Sequence, residues 1–381
     1  MTSPPRIAVV GGGPGGLTLA RVLQRHGIDH VTVLEQEDSA TARDQGRSLD
    51  LHAGSGQDAL HAAGLYDTWA ALARPEDQAG RRLTPDGTVL AEEPAEGFAN
   101  PEIDRGQLRG LLLDALAPGT VRWGTRVETL TPRPDGSHEL RVQGPDGPDV
   151  LVADLVVGAD GAWSRVRPLL CDARPSYTGV TFVELFHTDV DRTRPTVAAL
   201  AGRGSTMCFD GDRGLATQRL AAGNLGVYVS LRVDEAWVDG FPADDPPAAR
   251  AALLAWFDGW APALRDVVAL ADDAVVARRL YALPVGLRWP THPGVTLLGD
   301  AAHLMSPFGG QGANLAMLDA ADLAAAILHD PATATARYEA AMWPRGAAAA
   351  HGAAVGLATV GRGDEADDPR DAFLAAREQY T

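Results

Sequence analysis

Apolar and polar positions change period several times along the chain, and each change predicts an element. Residues 7–10 are a β-type run, residues 11–16 a glycine-rich turn, and Leu17, Ala20 and Leu23 recur at helical spacing before "HVTVLE" returns to strand. Leu49 and Leu51 alternate with Asp50 and His52, and Ser55 with Asp58 forms a capping-box pattern that predicts a helix start. Residues 74–99 are broken by Pro75, Pro85, Asp86, Gly87 and Pro94, which suits a small hairpin. In "NPEIDRGQLRGLLLDAL", Leu108, Leu111, Leu112 and Leu116 mark one face of another helix.

From about residue 175 the texture changes. "TFVELFHTDV" and "NLGVYVSLRV" have the period of two expected of strands with one buried face, and "ARAALLAWFDGW" is a helix that closes the block near residue 273. The apolar run 295–298 then delivers a second glycine-rich turn, "GDAAHLMSPFGGQGANLAM", which leads into a helix. The alanine-rich stretch after residue 331 predicts a long helix interrupted at Pro344, and "GRGDEADDPR" a loop before a short last helix.

This order predicts an α/β protein, a doubly wound domain interrupted by a β-sheet domain. The doubly wound domain takes residues 1–73, 98–172 and 276–330. The β-sheet block takes 173–275 with an excursion at 74–97, and 331–381 forms a helical bridge between the two.

The first turn, "GGGPGG", satisfies G-x-G-x-x-G at Gly11, Gly13 and Gly16, with Pro14 and Gly15 between. Gly11 permits the tight turn, Gly13 lets backbone amides approach a pyrophosphate, and Gly16 allows close helix–strand packing. The helix N-terminus then meets the phosphates with its partial positive charge. Glu35 ends the next strand 19 residues after Gly16, where an acidic side chain accepts from ribose hydroxyls. A dinucleotide is therefore expected here, and this motif leaves NAD and FAD open.

The second turn separates them. A strand ending in "LLGDA" brings Asp300 to the carboxyl edge of the sheet, where ligands bind. A carboxylate there repels pyrophosphate but accepts from a ribityl hydroxyl. Gly309, Gly310 and Gly312 allow backbone to approach a flat ring, and the following helix points its positive end at it. That suits the negative charge of a reduced flavin better than a nicotinamide. One turn takes the pyrophosphate and the other the rest of FAD. His303 is read as structural rather than as a base.

Composition narrows the partners. The net charge of −17 disfavours nucleic acid and anionic membrane surfaces. Cys171 and Cys208 form no close-spaced pair, so a disulfide scaffold, a zinc site and a redox cysteine pair are excluded. No run suits a membrane span or a signal peptide, and a cytoplasmic monomer is the expectation. All 33 basic residues are arginine.

"GGGPGG", "GADGAWSRVR" and "GDAAHLMSPFGGQG" resemble the fingerprints of the group A FAD-dependent aromatic hydroxylases. "GRSLDLHAGSGQDALHAAGL" and "NPEIDRGQLRGLLLDAL" are closer still to the tetracycline-inactivating monooxygenases within that family. The motifs span roughly residues 6–170 and 280–325, and the 175–275 block matches only loosely.

The resemblance implies non-covalent FAD, NADPH or NADH as a transient co-substrate, and O2. One oxygen atom would pass through a flavin C4a-hydroperoxide to a polycyclic phenolic or enolic substrate, tetracycline-like or another polyketide, in antibiotic resistance or biosynthesis. It implies that Glu35 holds the adenosine ribose and that Asp50 and Arg105 contact the flavin nucleotide. Asp160 and Gly161 would lie near FAD and the nicotinamide phosphates, and Arg43 near NADPH. Asp300 would take the ribityl chain, and Pro307, Phe308, Gly309, Gly310, Gln311 and Gly312 would line the flavin ring. Gln36 stands where many relatives have arginine, which alters the adenosine side.

Substrate candidates in the sheet block are Glu184, Arg213, Gln218 and Tyr228, with Phe308 from the turn. Gly226 and Ala216 lie roughly where the tetracycline-inactivating enzymes would carry a histidine and a phenylalanine. A halogenase of this fold relies on an active-site lysine, and the chain has none. A flavin-dependent reductase or dehydrogenase, or a non-catalytic FAD protein that sequesters a ligand, remains open.

Overall fold

The computed structural model describes residues 5–42 and 47–359. Arg43 and the expected C-terminal loop and last helix lie outside the described residues. Ile7–Val10 is the central strand of a five-stranded parallel sheet, flanked by Val31–Leu34 and Leu155–Gly158, with Val121–Arg122 and Val295–Leu297 at the edges. Both faces are covered, so Ile7–Val10 and Leu155–Gly158 are apolar and buried throughout. Helix Pro14–Arg25 packs its Leu17, Leu19 and Leu23 into this core, and helix Gln311–His329 lies beside it. A three-stranded antiparallel sheet, from Arg126 to Ala153, is inserted before Leu155–Gly158.

The second body is a seven-stranded sheet, and it includes the hairpin Gly80–Leu83 and Val89–Glu93 from the 74–99 stretch. Its long strands are Ser176–His187, Ser205–Asp210, Arg213–Arg219, Leu225–Arg232 and Val276–Ala282. Alternation along them sorts two faces. Val183, Leu185, Leu215, Val227, Val229 and Leu231 pack with Leu253, Phe257, Trp260 and Leu264 of the helical segment that covers one face. The cross-strand partners of opposite parity line the other face, towards the parallel sheet's carboxyl edge.

Two local expectations are corrected. Ser55 does stand before helix Gly56–Ala63, but its side chain makes no capping hydrogen bond to that helix. Its Oγ instead lies 3.4 Å from the His52 carbonyl and 3.5 Å from Asn314 Oδ1, so a tertiary partner displaces the local cap. Helix Ala334–Thr359 continues across Pro344. Anchors on both sides hold it there. Glu339, fully buried, accepts from Trp289 Nε1 and Thr296 Oγ1 at 2.8 Å and from Thr291 Oγ1 at 2.6 Å. Arg345 binds Asp319 at 2.8 Å and Asp322 at 2.7 Å. The same helix reaches the second sheet, where Arg232 donates to the Leu357 carbonyl at 3.1 Å.

Candidate active site

The first turn is shaped by three close approaches. A Cβ on Gly11 would lie 2.3 Å from the Ala159 carbonyl oxygen, and its φ of +109° also excludes side chains. A Cβ on Gly16 would meet the Gly11 oxygen at 2.1 Å, and one on Gly15 would meet Leu298 and the Ala316 oxygen of the neighbouring helix at 2.7 and 2.8 Å. Gly13 is different: nothing lies within 4 Å of its Cβ position. It stands at the N-terminus of helix Pro14–Arg25, open to a ligand.

Glu35 is buried beside this turn. Its Oε2 accepts the Gly12 N–H at 2.7 Å and its Oε1 accepts the Glu37 N–H at 2.8 Å. A carboxylate has about four lone-pair sites, so these bonds orient Glu35 and leave acceptor capacity for ribose hydroxyls. Arg109, only 4% exposed, was missed by the sequence analysis. It donates to the Gly12 carbonyl at 3.3 Å and to Glu37 Oε2 at 2.7 Å, with Glu35 Oε2 at 3.7 Å. An arginine inside the leucine-rich helix face was the available signal. Gln36 is exposed at the same edge.

Asp160 and Gly161 follow strand Leu155–Gly158, next to Gly11. Asp160 Oδ2 accepts the Arg165 N–H at 2.7 Å, while Oδ1 is buried with no protein partner among the described residues. Burial pushes this carboxyl up from the usual range, against the pull of Ser164 and the Arg165 amide. An orphaned buried acceptor beside the first glycine turn is what a ligand hydroxyl would satisfy.

Asp300 follows strand Val295–Leu297, and its side chain remains reachable by solvent although protein surrounds it. Desolvation raises its pKa, opposed by His303 and Arg105. A Cβ on Gly312 would lie 3.7 Å from Asp300 Oδ1, so the carboxylate and the start of helix Gln311–His329 converge. Pro307, Gly309 and Gly310 are exposed along this turn, and nothing lies within 4 Å of a Cβ on Gly309.

Asp50 is held against the turn. Its Oδ1 lies 3.1 Å from the Cβ position of Gly310, and its Oδ2 receives His52 Nε2 at 2.6 Å. His52 Nδ1 lies 3.1 Å from Gln311 Nε2. Buried Asn314 accepts the His52 N–H and donates to the Asp50 carbonyl, both at 2.8 Å. His52 and Asn314 escaped the sequence analysis because the contact that joins them spans 262 residues of chain. Arg105 is exposed and is a charge neighbour of both Asp300 and Tyr228.

His303 is locked away from the cleft, as a structural histidine should be. Its Nε2 lies 2.6 Å from Asp319 Oδ2, and Arg345 donates to Asp319 Oδ1 at 2.8 Å. Burial alone would lower the His303 pKa, but the Asp319 carboxylate more than offsets it and the net shift is upward.

The wall opposite the second turn is the uncovered face of the seven-stranded sheet. Pairing places Phe182, Glu184, Tyr228, Ala216, Gln218 and Gly226 on that face. Phe308 reaches it from the turn, with ring centroids 5.7 Å from Phe182 and 6.4 Å from Phe209, while Tyr228 stands 6.0 Å from Phe182. Glu184 accepts from Arg278 Nε at 2.7 Å. Burial drives the Tyr228 phenol up to about 12, with Glu184 adding to it. The space over Gly226 is bounded by Leu220 and by the stem of Arg47, whose guanidinium stacks 4.4 Å above Phe186.

Arg213 is the correction. It pairs with Leu231 in register and so points to the helix-covered face. There it donates to the Trp256 carbonyl, pairs with Asp210 at 2.8 Å and lies 5.6 Å from the Trp260 ring.

The first glycine turn, the Asp300 carboxylate and the second glycine turn all follow strands of the parallel sheet or open its helices, and residues of these types could hold FAD. The family described as FAD binding domain matches residues 5–235 and 288–339. The chain belongs to this family of FAD-dependent monooxygenases. It is 33% identical over 356 residues to the 3-amino-4-hydroxybenzoate 2-monooxygenase PtmB3 of Streptomyces platensis, covering 90% of this chain and 85% of that one. The fold matches HpxO of Klebsiella pneumoniae, solved with FAD and uric acid, at a TM-score of 0.78 and 22% identity, covering 98% of this chain and 92% of that one. It also matches the tetracycline destructase Tet(51), at a TM-score of 0.70 and 20% identity, covering 100% and 98%.

The protein is thus an FAD-dependent monooxygenase of the aromatic-hydroxylase type. Among the described residues of this monooxygenase, no helix is long and apolar enough to cross a membrane. No cluster of ligating side chains among them could hold a metal ion.

Proposed function

We propose that this monooxygenase inserts one atom of O2 into a flat, electron-rich phenolic or enolic substrate, polycyclic and of the polyketide kind, at the expense of NADPH or NADH. The observation that carries the reading is the contact of Phe308, on the second glycine turn, with Phe182 and Phe209 of the sheet wall. It makes an aromatic slot at the edge of the turn that would face the flavin ring. Offset and edge-on ring contacts of this kind stabilise a bound aromatic by about 0.5–1.5 kcal/mol each.

Bound FAD would supply electron transfer from the nicotinamide and the activation of O2. The chain's own residues do the rest. Gly13 and the helix N-terminus take the pyrophosphate, Glu35 the ribose, and Asp300 the ribityl chain. Asp50, Asn314 and His52 hold the second turn in place, and the ring wall excludes water from the reacting face.

Tyr228 stays protonated and offers its hydroxyl as a donor, while Glu184 and Gln218 supply polar contacts at the wall. The relatives' substrates in their own names, an aminohydroxybenzoate, uric acid and tetracycline, share a flat ring bearing hydroxyl, enol or amino groups. The test is mass spectrometry of products formed with NADPH and isotopically labelled O2 from a panel of phenols and phenolic polyketides, tetracycline included. A product carrying one labelled oxygen supports the reading. NADPH oxidation with a desaturated product would point to a dehydrogenase, and ligand binding that leaves NADPH oxidation unchanged to a sequestering protein.

A further inference from the structure

The antiparallel ribbon of Ser48–Asp50 and Glu102–Asp104 has two faces of opposite character. Leu49 pairs with Ile103, and both are buried in the main core. Ser48, Asp50, Glu102 and Asp104 project from the other face, where Asp50 touches Gly310 of the second turn. The Asp50 end of this hydrophilic face lies at the second turn, and Glu102 is a charge neighbour of Tyr228 on the sheet wall.

Glu102 is directly opposite Asp50 and only 8% exposed. Its Oε2 accepts the Ser48 hydroxyl, and Ser48 Oγ accepts from Arg74 Nη2 at 3.1 Å. Arg74 is otherwise committed to Asp77 at 2.6 Å and Asp104 at 2.8 Å, so it reaches Glu102 through Ser48. Glu102 Oε1 has no hydrogen bond to a described residue and is not sealed from solvent.

We propose that Glu102 is the catalytic base that takes the hydroxyl proton of the phenolic or enolic substrate, with Ser48 and Arg74 as positioning residues. This rests on the functional reading above. The substrate O–H bond breaks, an O–H bond forms on Glu102, and the electron pair stays on the substrate oxygen. No oxidant or reductant is consumed. The resulting phenolate is a stronger carbon nucleophile towards an electrophilic oxygen, and the proton returns to solvent when product leaves.

The surroundings suit a base of this strength. Desolvation and then the Asp50 charge push the Glu102 carboxyl up to about 8, with Asp77 adding to it, while Ser48 and Arg74 pull it down. Its proton affinity therefore approaches that of a phenol, near 10 in the free state. Asp50 Oδ2 is committed to His52. From the sheet, Tyr228 is held about 12, so it donates to the phenolate and cannot take its proton.

The experiment compares the holoenzyme with E102Q, FAD content being measured in both. With a weakly acidic phenol, wild-type oxygenation rises with pH through about 8. E102Q is expected to lose that limb and about 10²–10⁴ in rate. With an otherwise similar nitrophenol, already ionised at the assay pH, E102Q is expected to approach the wild-type rate.

A readout independent of turnover is the infrared stretch of a protonated carboxyl in the wild-type holoenzyme. It is expected at neutral pH, to vanish as pH rises through about 8, and to be missing in E102Q. An unchanged pH profile in E102Q, no recovery with the ionised phenol, or no such band overturns the proposal alone. A wild-type enzyme that oxygenates no phenol or enol overturns the functional reading and the proposal with it.

Discussion

Asn314 and His52 are 262 residues apart in sequence, yet the His52 N–H donates to Asn314 Oδ1 at 2.8 Å. The Asn314 amide also donates to the Asp50 carbonyl at 2.8 Å and the Gly310 carbonyl at 3.1 Å. One buried side chain thus fastens the Asp50 strand to the second glycine turn. Asn314→Ala strands a buried N–H and the two carbonyls, and should cost about 1–3 kcal/mol in chemical denaturation. FAD affinity should fall as well, because the turn loses its fixed position. Unchanged FAD titrations would show that the turn holds its shape without this tie.

Asp300→Ala removes the acceptor that follows strand Val295–Leu297. The fold should persist, since the carboxylate bonds to no protein group among the described residues, whereas FAD should bind about 1.5–3 kcal/mol more weakly. Isothermal titration of the apoprotein reads this directly. Full occupancy at unchanged affinity would place the ribityl chain elsewhere.

The glycines of the first turn separate folding from binding. Gly13 has φ −80° and open space at its Cβ position, so Gly13→Ala should keep its melting temperature and lose FAD affinity. Gly16→Ala sets a methyl 2.1 Å from the Gly11 carbonyl oxygen and should lower the melting temperature even without FAD. Equal effects of the two variants on the apoprotein's melting curve would contradict this division.

The buried His303–Asp319–Arg345 group gives stability a pH dependence at both ends. Burial opposes the Asp319 carboxylate, but His303 and Arg345 hold it below its usual range. Its contribution is present above the unfolded value near 3.9 and is lost as pH falls through the folded one. His303 is raised, so its contribution is full below about 6.5 and fades as pH climbs through its folded value. Asp319→Asn leaves the two cations without their shared carboxylate. A loss of about 3–5 kcal/mol, with a flatter pH profile, is the expected result in denaturant melts across pH.

Sheet parity puts Arg213 on the helix-covered face, whereas Phe308 meets the opposite face from the turn. Arg213→Met should lower stability through the lost Asp210 and Trp256 contacts and leave substrate KM unchanged. Phe308→Ala should raise KM with little change in the melting temperature, because it opens the aromatic slot. Steady-state kinetics beside thermal melts distinguishes them, and a KM effect from Arg213→Met alone would reverse the assignment of the two faces.

The sequence by itself determined the features that arise within a few residues of each other. The glycines at 11 and 16 reflect a close approach inside one turn, and the alternation of Ser48, Leu49 and Asp50 reflects the pleat of one short strand. Strand periodicity in "NLGVYVSLRV" likewise predicted two faces, but not which of them the helices cover. That is why Tyr228 and Arg213 looked equivalent and are not.

Only the tertiary structure decided the rest. Glu102 became unusual because folding buried it opposite Asp50, and Arg109 because it closed on the first turn. Ser55 gave up its local cap to lie beside Asn314, and Pro344 stayed helical because Glu339 and Arg345 are anchored on either side of it. In each case the deciding energy comes from partners far away in sequence. Local propensities are worth less than about 1 kcal/mol for most residues and about 3 kcal/mol for an internal proline, and leaving a buried charged or hydrogen-bonded group without its partner costs about as much or more.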